Sequence, residues 1–422
     1  MTDGDEPLRC RGMRDLLPEE MALYRFAEER FARVCSEWGY AEIRTPTIEY
    51  LHLFTAAGTL SPQMLGRVYS FLDWDGWSGE RVVLRPDATI PAARLYVENR
   101  PSGDSARFFY VQNVFRFSSG DESREDWQCG VELIGNPAPA GDVELILLGK
   151  AVLQALGLGA VAVGLSHAGL ARAVLAQTGL APEEQVACYD RLLDGDLTVL
   201  GEIEARLPDL KAPLRLLFDV KGGAEAYLSN LRGAFAAAVP AIAAPLDELA
   251  TVSETLARLD CPHEIEPTLV RNFEYYTGPV FEFRAAGSRL GGGGRYDGLI
   301  GLVGGDSVPA SGFALSLREV VSHLPSAPSG QASADAWLVS PADGRPAALA
   351  GAFAATERLR STGRRASLVP ASGAGAEYRW ELTVGSSPER PAYALLDRRS
   401  GGKTTHSTLE EALSAAEAAA DD

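Results

Sequence analysis

Long apolar runs are absent from this 422-residue chain, and no segment offers the roughly 20 consecutive apolar residues that a bilayer-spanning helix needs. The opening "MTDGDEPLRC" is acidic and has no apolar core, so no signal peptide is expected and the chain reads as cytoplasmic. Cysteine is scarce as well. The five cysteines (Cys10, Cys35, Cys129, Cys188, Cys261) form no CxxC pair, which argues against a disulfide framework or a zinc site and fits small core residues in a reducing compartment. The five histidines, His167 and His263 among them, show no ligand spacing, so no metal is expected. Positive charge is in deficit, with 39 Lys and Arg against 57 Asp and Glu and a formal net charge of -18. Broad binding of a polyphosphate backbone depends on cations that release condensed counterions, and that class of partner is disfavoured. What is present, 46% hydrophobic and 23% charged residues with aromatics spread along the chain, describes an ordered protein long enough for two or three domains.

The ordered text opens on "LLPEEMALYRFAEERFARVCSEWGY", where Pro18 at a first helical position, acids in the first turn and Gly39 as a stop predict one amphipathic helix. "AEIRTPTIEY" predicts a short strand broken at Pro46. "RVYSFLDWDGWSGERVVLR" alternates about a glycine-containing turn, the mark of a β-hairpin. Its Asp73 and Asp75 begin a calcium-loop pattern, but the later ligands and closing glutamate are missing. After a helix near Ile90 to Glu98, "ARFFYVQNVFRF" and "EDWQCGVELIG" predict two antiparallel strands joined by a loop that carries Asp121, Glu122, Glu125 and Asp126. From about Ala160 to Asp260 the text turns Ala- and Leu-rich with helical periodicity. Strand text resumes in "EYYTGPVFEFRA", followed by the glycine cluster "GSRLGGGGRYDGL" and a predicted helix from roughly Ala314 to Leu324. "SHLPSAPSGQASA" has linker composition. Beyond it, strand and helix patterns alternate in a small α/β module that closes on the helix "TLEEALSAAEAAA".

Two glycine-rich stretches invite a phosphate-site reading that their spacing does not support. In "RSGGKTTHS" the first glycine of a P-loop would have to stand where Asp397 is, so a turn between two strands accounts for the glycines. "GGGGRYDGLIGLVGG" is not a GxGxxG after a strand and implies only a tight turn or a close backbone approach. More informative is the combination of "LRPDAT", the stretch "FRFSSGDESREDWQCGVE" from Phe115 to Glu132, "VRNFEYYTG" and "GGGGRYDGL". It gathers carboxylates (Asp87, Glu132), an amide (Gln128), arginines (Arg116, Arg271) and paired tyrosines (Tyr275, Tyr276). A free amino acid needs acceptors for its ammonium and donors for its carboxylate, which this inventory supplies. By composition alone, polar residues that merely close sheet edges fit equally well, and at this point both readings stand.

Taken in order, these stretches resemble the histidyl-tRNA synthetase family over nearly the whole chain. "RGMRDLLPEE" is similar to its N-terminal signature, "EIRTPTIE" to the dimer-forming motif 1, "NVFRF" to motif 2, "RNFEYYTG" and "GGGGRYDGL" to its two histidine signatures, and "GGDSVPASGFALSLREV" lies at the place of motif 3. The resemblance implies an α+β fold: a class II aminoacyl-tRNA synthetase-like antiparallel sheet flanked by helices, with a helical insertion and a small C-terminal α/β domain. The implied boundaries are a core over residues 1–325 with its insertion at about 166–262, a linker at 326–334, and a reduced anticodon-binding-like domain at 335–422. Mapped onto the family, Asp87, Thr89, Gln128, Glu132, Arg271, Tyr275 and Tyr276 match histidine-contacting positions, with Arg116 near the carboxylate.

The departures lie on the nucleotide side. Ser118 replaces the motif 2 glutamate, and Ser316, Leu317, Arg318 and Glu319 stand where a Gly-Leu-Glu-Arg run supplies an arginine to the ATP phosphates. Loss of one such preorganised donor costs about 3 to 4 kcal/mol of transition-state stabilisation, and a carboxylate in its place adds repulsion. A synthetase-like chain that keeps histidine recognition without the adenylation residues is similar to the regulatory-subunit family of ATP phosphoribosyltransferase. That resemblance implies a non-catalytic partner of the short-form catalytic subunit, histidine as feedback effector, a homodimeric core, and neither a cofactor nor tRNA. The alternatives are an active histidyl-tRNA synthetase and a paralogue that activates an amino acid for a non-tRNA acceptor.

Overall fold

The computed structural model describes residues 8–56, 66, 68–74, 79–99, 105–118, 123–193, 196, 198–219, 224–235, 237–267, 269, 276–324, 336–368, 378–387 and 392–419. They fall into two compact units, 1–325 and 326–422. Among the described residues no helix is long and apolar enough to cross a membrane.

Unit 1 opens on helix α1 (Pro18–Glu37), whose Pro18 stands at the start and whose Tyr24, Ala27, Phe31, Val34 and Cys35 form the buried stripe. Gly39, at φ 82°, turns the chain out of it. The next elements are β1 (Ala41–Glu42), β2 (Ile48–Tyr50), α2 (Leu51–Ala56), β3 (Ser70–Trp74), β4 (Gly79–Leu84) and α3 (Thr89–Asn99). β3 and β4 pair antiparallel, as the hairpin pattern predicts, and β2 completes a three-stranded sheet in the order β2-β4-β3. The two long strands β5 (Ala106–Phe115) and β6 (Glu125–Ile134) lead into α4 (Ala140–Ala155) and β7 (Ala162–His167). Six helices follow: α5 (Ala168–Leu175), α6 (Pro182–Leu193), α7 (Thr198–Arg206), α8 (Lys211–Asp219), α9 (Ala224–Phe235) and α10 (Ala243–Arg258). The chain then returns through β8 (Glu264–Ile265), β9 (Pro279–Ala285), β10 (Ser288–Arg295), α11 (Leu299–Leu302), β11 (Ala310–Ser316) and α12 (Leu317–Ser322).

The large sheet has the order β1-β5-β6-β11-β10-β9-β7-β8. Only the outermost pairs, β1 with β5 and β7 with β8, are parallel. Its register explains the sequence alternation, because side chains two residues apart share a face. One face carries the cross-strand row Phe109, Val131, Phe313, Phe281 and Leu165, packed edge-on ring to ring from Phe283 to Phe313 at 5.8 Å. Helix α4 lies against this apolar face, close enough that a Cβ at Gly149 would collide with the Phe283 ring. The opposite face carries Tyr110, Gly130, Glu132, Gly312 and Gly294, and is the polar one.

Two expectations are refined. The glycine cluster is no turn: Gly291, Gly292, Gly293 and Gly294 lie inside β10, where a Cβ would strike carbonyls of neighbouring strands. Residues Ala314 to Ser316, expected in a helix, continue β11. This strand pairs with both β6 and β10, and two ladders of hydrogen bonds outweigh the helix preference of Ala and Leu.

In unit 2, β12 (Trp337–Pro341), α13 (Pro346–Ser361), β13 (Ala366–Leu368), β14 (Trp380–Val384), β15 (Tyr393–Asp397), β16 (Lys403–His406) and α14 (Leu409–Ala418) build a sheet of order β13-β12-β14-β15-β16. Trp337 and Trp380 stack at 5.7 Å at the heart of a separate core completed by Leu359 and Leu413. The "RSGGK" stretch is the β15–β16 turn, in which Asp397 accepts from the Arg399 amide at 2.9 Å and the Ser400 hydroxyl at 3.1 Å.

Candidate functional site

A cavity of about 440 Å³ opens over the polar face of the large sheet, walled by residues of β6, β10 and β11, the start of α3 and the end of β5. Its size falls within the range of small-molecule sites. Asp87, Thr89, Arg116, Gln128 and Tyr276 all line it. Arg271 and Tyr275 lie outside the described residues, as do Asp121 and Glu122 of the loop.

Glu132 does not itself line the cavity: it lies beneath the lining residues Thr89 and Tyr296, which hydrogen-bond to it, and is only 1% exposed. Tyr110 donates to its Oε1 at 2.9 Å and Tyr296 donates to its Oε2, and Thr89 hydrogen-bonds with both Tyr110 and Glu132. Room for this cluster comes from two glycines. A Cβ at Gly130 would enter the Tyr110 ring, and one at Gly312, its β11 neighbour in register, would collide with the Glu132 carboxylate. Burial drives the Glu132 carboxyl up to about 8, against the hydroxyls of Tyr296, Thr89 and Tyr110 that pull it down, while Asp87 adds to the rise.

Asp87 lies at the start of α3, where its Oδ1 accepts from the Ile90 amide at 3.0 Å. Burial raises its pKa, opposed by that amide and by the guanidinium of Arg116. Arg116 is braced by its Nε donating to the Pro86 carbonyl at 2.9 Å. Carboxylates and a guanidinium thus face one cavity. That is the donor and acceptor set of a zwitterion site.

The far end of the cavity is built from Asp126, Ser316, Arg318, Glu319 and Arg289. Ser316 caps α12 and donates to Asp126 at 3.1 Å, and Arg318 pairs with Glu319 at 3.5 Å. Asp126 has a raised pKa, chiefly from burial. Arg318 lines the wall together with Glu319, so the exchanged order does not remove the cation from the cavity; it sets an acid beside it. Tyr110 and Tyr296 were missed as site residues. The signal for Tyr110 was its place in the alternation of "FFYVQ" opposite Gly130, but the pairing that reveals it is a register fact. His167 has a packing role: it caps α5, its Nδ1 accepting from Gly169 at 3.0 Å, and its Nε2 lies 3.1 Å from Glu248. Among the described residues no group of three or more His, Cys, Asp or Glu is arranged to hold a metal ion.

The chain belongs to the histidyl-tRNA synthetase family, whose model matches residues 12–320. It is similar to a Dehalococcoides mccartyi protein named ATP phosphoribosyltransferase regulatory subunit, 48% identical over 314 residues that make up 74% of this chain and 76% of that one. It is also similar to a Methanosarcina acetivorans protein named histidine–tRNA ligase, 35% identical over 344 residues, 79% of this chain and 78% of the other. A crystal structure described as an ATP phosphoribosyltransferase regulatory subunit/histidyl-tRNA synthetase from Bacillus halodurans C superposes with a TM-score of 0.74 at 25% identity, covering 92% of this chain and 100% of that one. The fold is therefore the α+β class II synthetase-like fold.

Proposed function

We propose that this chain is a non-catalytic regulatory subunit of ATP phosphoribosyltransferase, acting at the first step of histidine biosynthesis and conferring feedback control by histidine. In this reading histidine occupies the cavity, its ammonium on Glu132 and Asp87, Gln128, Thr89 and the tyrosines around it, and Arg116 with Arg271 on its carboxylate. The observation that carries the reading is the asymmetry of the cavity. One end gathers Asp87, Thr89, Arg116, Gln128 and Tyr276, while at the other Asp126 and Glu319 stand beside Arg289 and Arg318, so that acids offset the cations that nucleotide phosphates would need. The relatives at 48% identity carry the regulatory-subunit name. Control requires only that histidine bind one state of the complex better than another, and a coupling of about 1 to 3 kcal/mol would be ordinary.

The partner in this proposal is a short-form catalytic subunit, and the synthetase-like core forms a homodimer. Exposed Ile48, Tyr50, Phe71, Leu72 and Trp74 on the three-stranded sheet supply apolar surface for such contacts. Residues 335–422 are read as the reduced anticodon-binding-like domain. Mixing the purified chain with a short-form phosphoribosyltransferase should raise that enzyme's activity and make it sensitive to histidine. If neither effect is seen, the assignment is wrong. A second reading, an active histidine–tRNA ligase, is favoured by Arg318 in the cavity wall. Histidine-dependent exchange of pyrophosphate into ATP by the chain alone would select it.

A further inference from the structure

We propose that the buried pair Arg295 and Asp142 positions the amino-acid site, holding the segment that carries Tyr276 against the strand end that carries Tyr296. This inference rests on the reading of the cavity as an amino-acid site. Neither residue lines the cavity, and they are only 2% and 1% exposed. Arg295 ends β10, and its Nε donates to both carboxylate oxygens of Asp142 on α4, at 3.0 and 3.1 Å. Its Nη1 donates to the Asn136 carbonyl at 3.2 Å and to Asp297 Oδ1 at 3.0 Å.

From this anchor the bonds run into both tyrosine-bearing walls. The Arg295 carbonyl accepts from the Thr277 amide at 2.7 Å, one residue beyond Tyr276. Its aliphatic stem packs on Gly278 so closely that a Cβ there would lie 3.0 to 3.2 Å from Arg295 Cδ, Cβ and Cγ. Asp297 Oδ1 also accepts from the Ala310 amide at 2.9 Å, and the Asp297 amide donates to the Thr277 hydroxyl at 3.1 Å. Between Arg295 and Asp297 stands Tyr296, whose amide donates to Ala310 at 2.8 Å and whose hydroxyl donates to Glu132. The guanidinium thus ties α4 and the Asn136 carbonyl to Asp297, Asp297 passes the tie to the start of β11 and to Thr277, and the Arg295 main-chain carbonyl holds the segment that delivers Tyr276.

The pair is poorly explained as a stabiliser alone. Burying two charges is costly, and apolar residues of similar volume often serve stability as well or better. Here the Arg295 Nη2 is buried with no hydrogen-bond partner among the described residues. A rigid, planar fork that holds Asp142, the Asn136 carbonyl and Asp297 at once supplies geometry that a greasy contact would not.

The test uses the full chain. Histidine affinity is measured by calorimetry for the wild type, D142N, R295K and D297N, together with amide exchange and melting. D142N should weaken histidine about tenfold or more, with R295K intermediate because it keeps charge but loses the fork. Exchange should quicken at the amides of Thr277, Gly278 and Tyr296 more than at those of the β5–β6 ladder. Ile242→Val, in the helical insertion, controls for lost stability and should leave affinity unchanged. D297N alters a half-buried acceptor and supplies the same comparison if D142N does not fold. Unchanged affinity and unchanged local exchange in the folded variants would overturn the positioning role. If the wild type itself does not bind histidine, the reading of the cavity falls, and the exchange pattern alone decides the role of the pair.

Discussion

At the scale of single residues, the proposed histidine site depends most on Glu132, and its protonation makes the clearest test. The carboxyl has an ordinary value of 4.5 and is raised to about 8 in the folded chain. Between those values the folded protein holds a proton that the unfolded chain has released, so this group's contribution to stability falls as pH rises from about 4.5 towards 8 and levels off above it. An ammonium placed beside it favours the carboxylate, so histidine binding near pH 7 should release a proton from Glu132. Calorimetry in buffers of different ionisation enthalpy should detect that release in the wild type and lose most of it in Glu132→Gln, with affinity reduced about 10- to 100-fold. Equal proton release in the variant would show that another group titrates. Residue types alone left Asp87, Gln128 and Glu132 open between an amino-acid site and sheet-edge polar residues, and it was the family resemblance that singled them out; Asp87 and Gln128 line the cavity. Tyr110 and Tyr296 were not legible in the sequence, since their roles depend on cross-strand register and on which face each hydroxyl meets.

At the scale of elements, the site exists because strands on one face of a sheet alternate with apolar residues on the other. The long alternating runs "ARFFYVQNVF" and "EDWQCGVELI" gave away β5 and β6, since their period of two persists over ten residue pairs. β10 and the end of β11 were harder to read. Four consecutive glycines have no face pattern, and "FALS" carries helix formers that only the double ladder on β11 overrides. The glycines are needed for close approach, which makes Gly312 a sharp test of this element. Gly312→Ala would drive a methyl group into the Glu132 carboxylate and the Val131 carbonyl. Overpacking of that kind should cost about 1 to 3 kcal/mol in denaturant unfolding and abolish histidine binding. Wild-type affinity in Gly312→Ala would mean that the strands separate without disturbing the floor, contrary to the packing described.

At the scale of the whole molecule, the division into two units has a measurable consequence. Each unit has its own buried core: Phe31, Phe109, Leu145 and Phe313 belong to one, and Trp337, Trp380, Leu382 and Leu413 to the other. No residue of the candidate site lies in unit 2. Trp337→Ala removes one of the two stacked rings, and loss of so large a buried side chain costs about 3 to 5 kcal/mol. In a domain of under 100 residues such a loss lowers the melting temperature by tens of degrees or prevents folding. Scanning calorimetry of this variant should show the unit 2 transition lowered or lost while the unit 1 transition keeps its temperature. The same variant should bind histidine within about threefold of the wild type, since the cavity's lining residues all belong to unit 1. A joint shift of both transitions would show that the units unfold as one. A loss of histidine binding would place unit 2 in the machinery of the site.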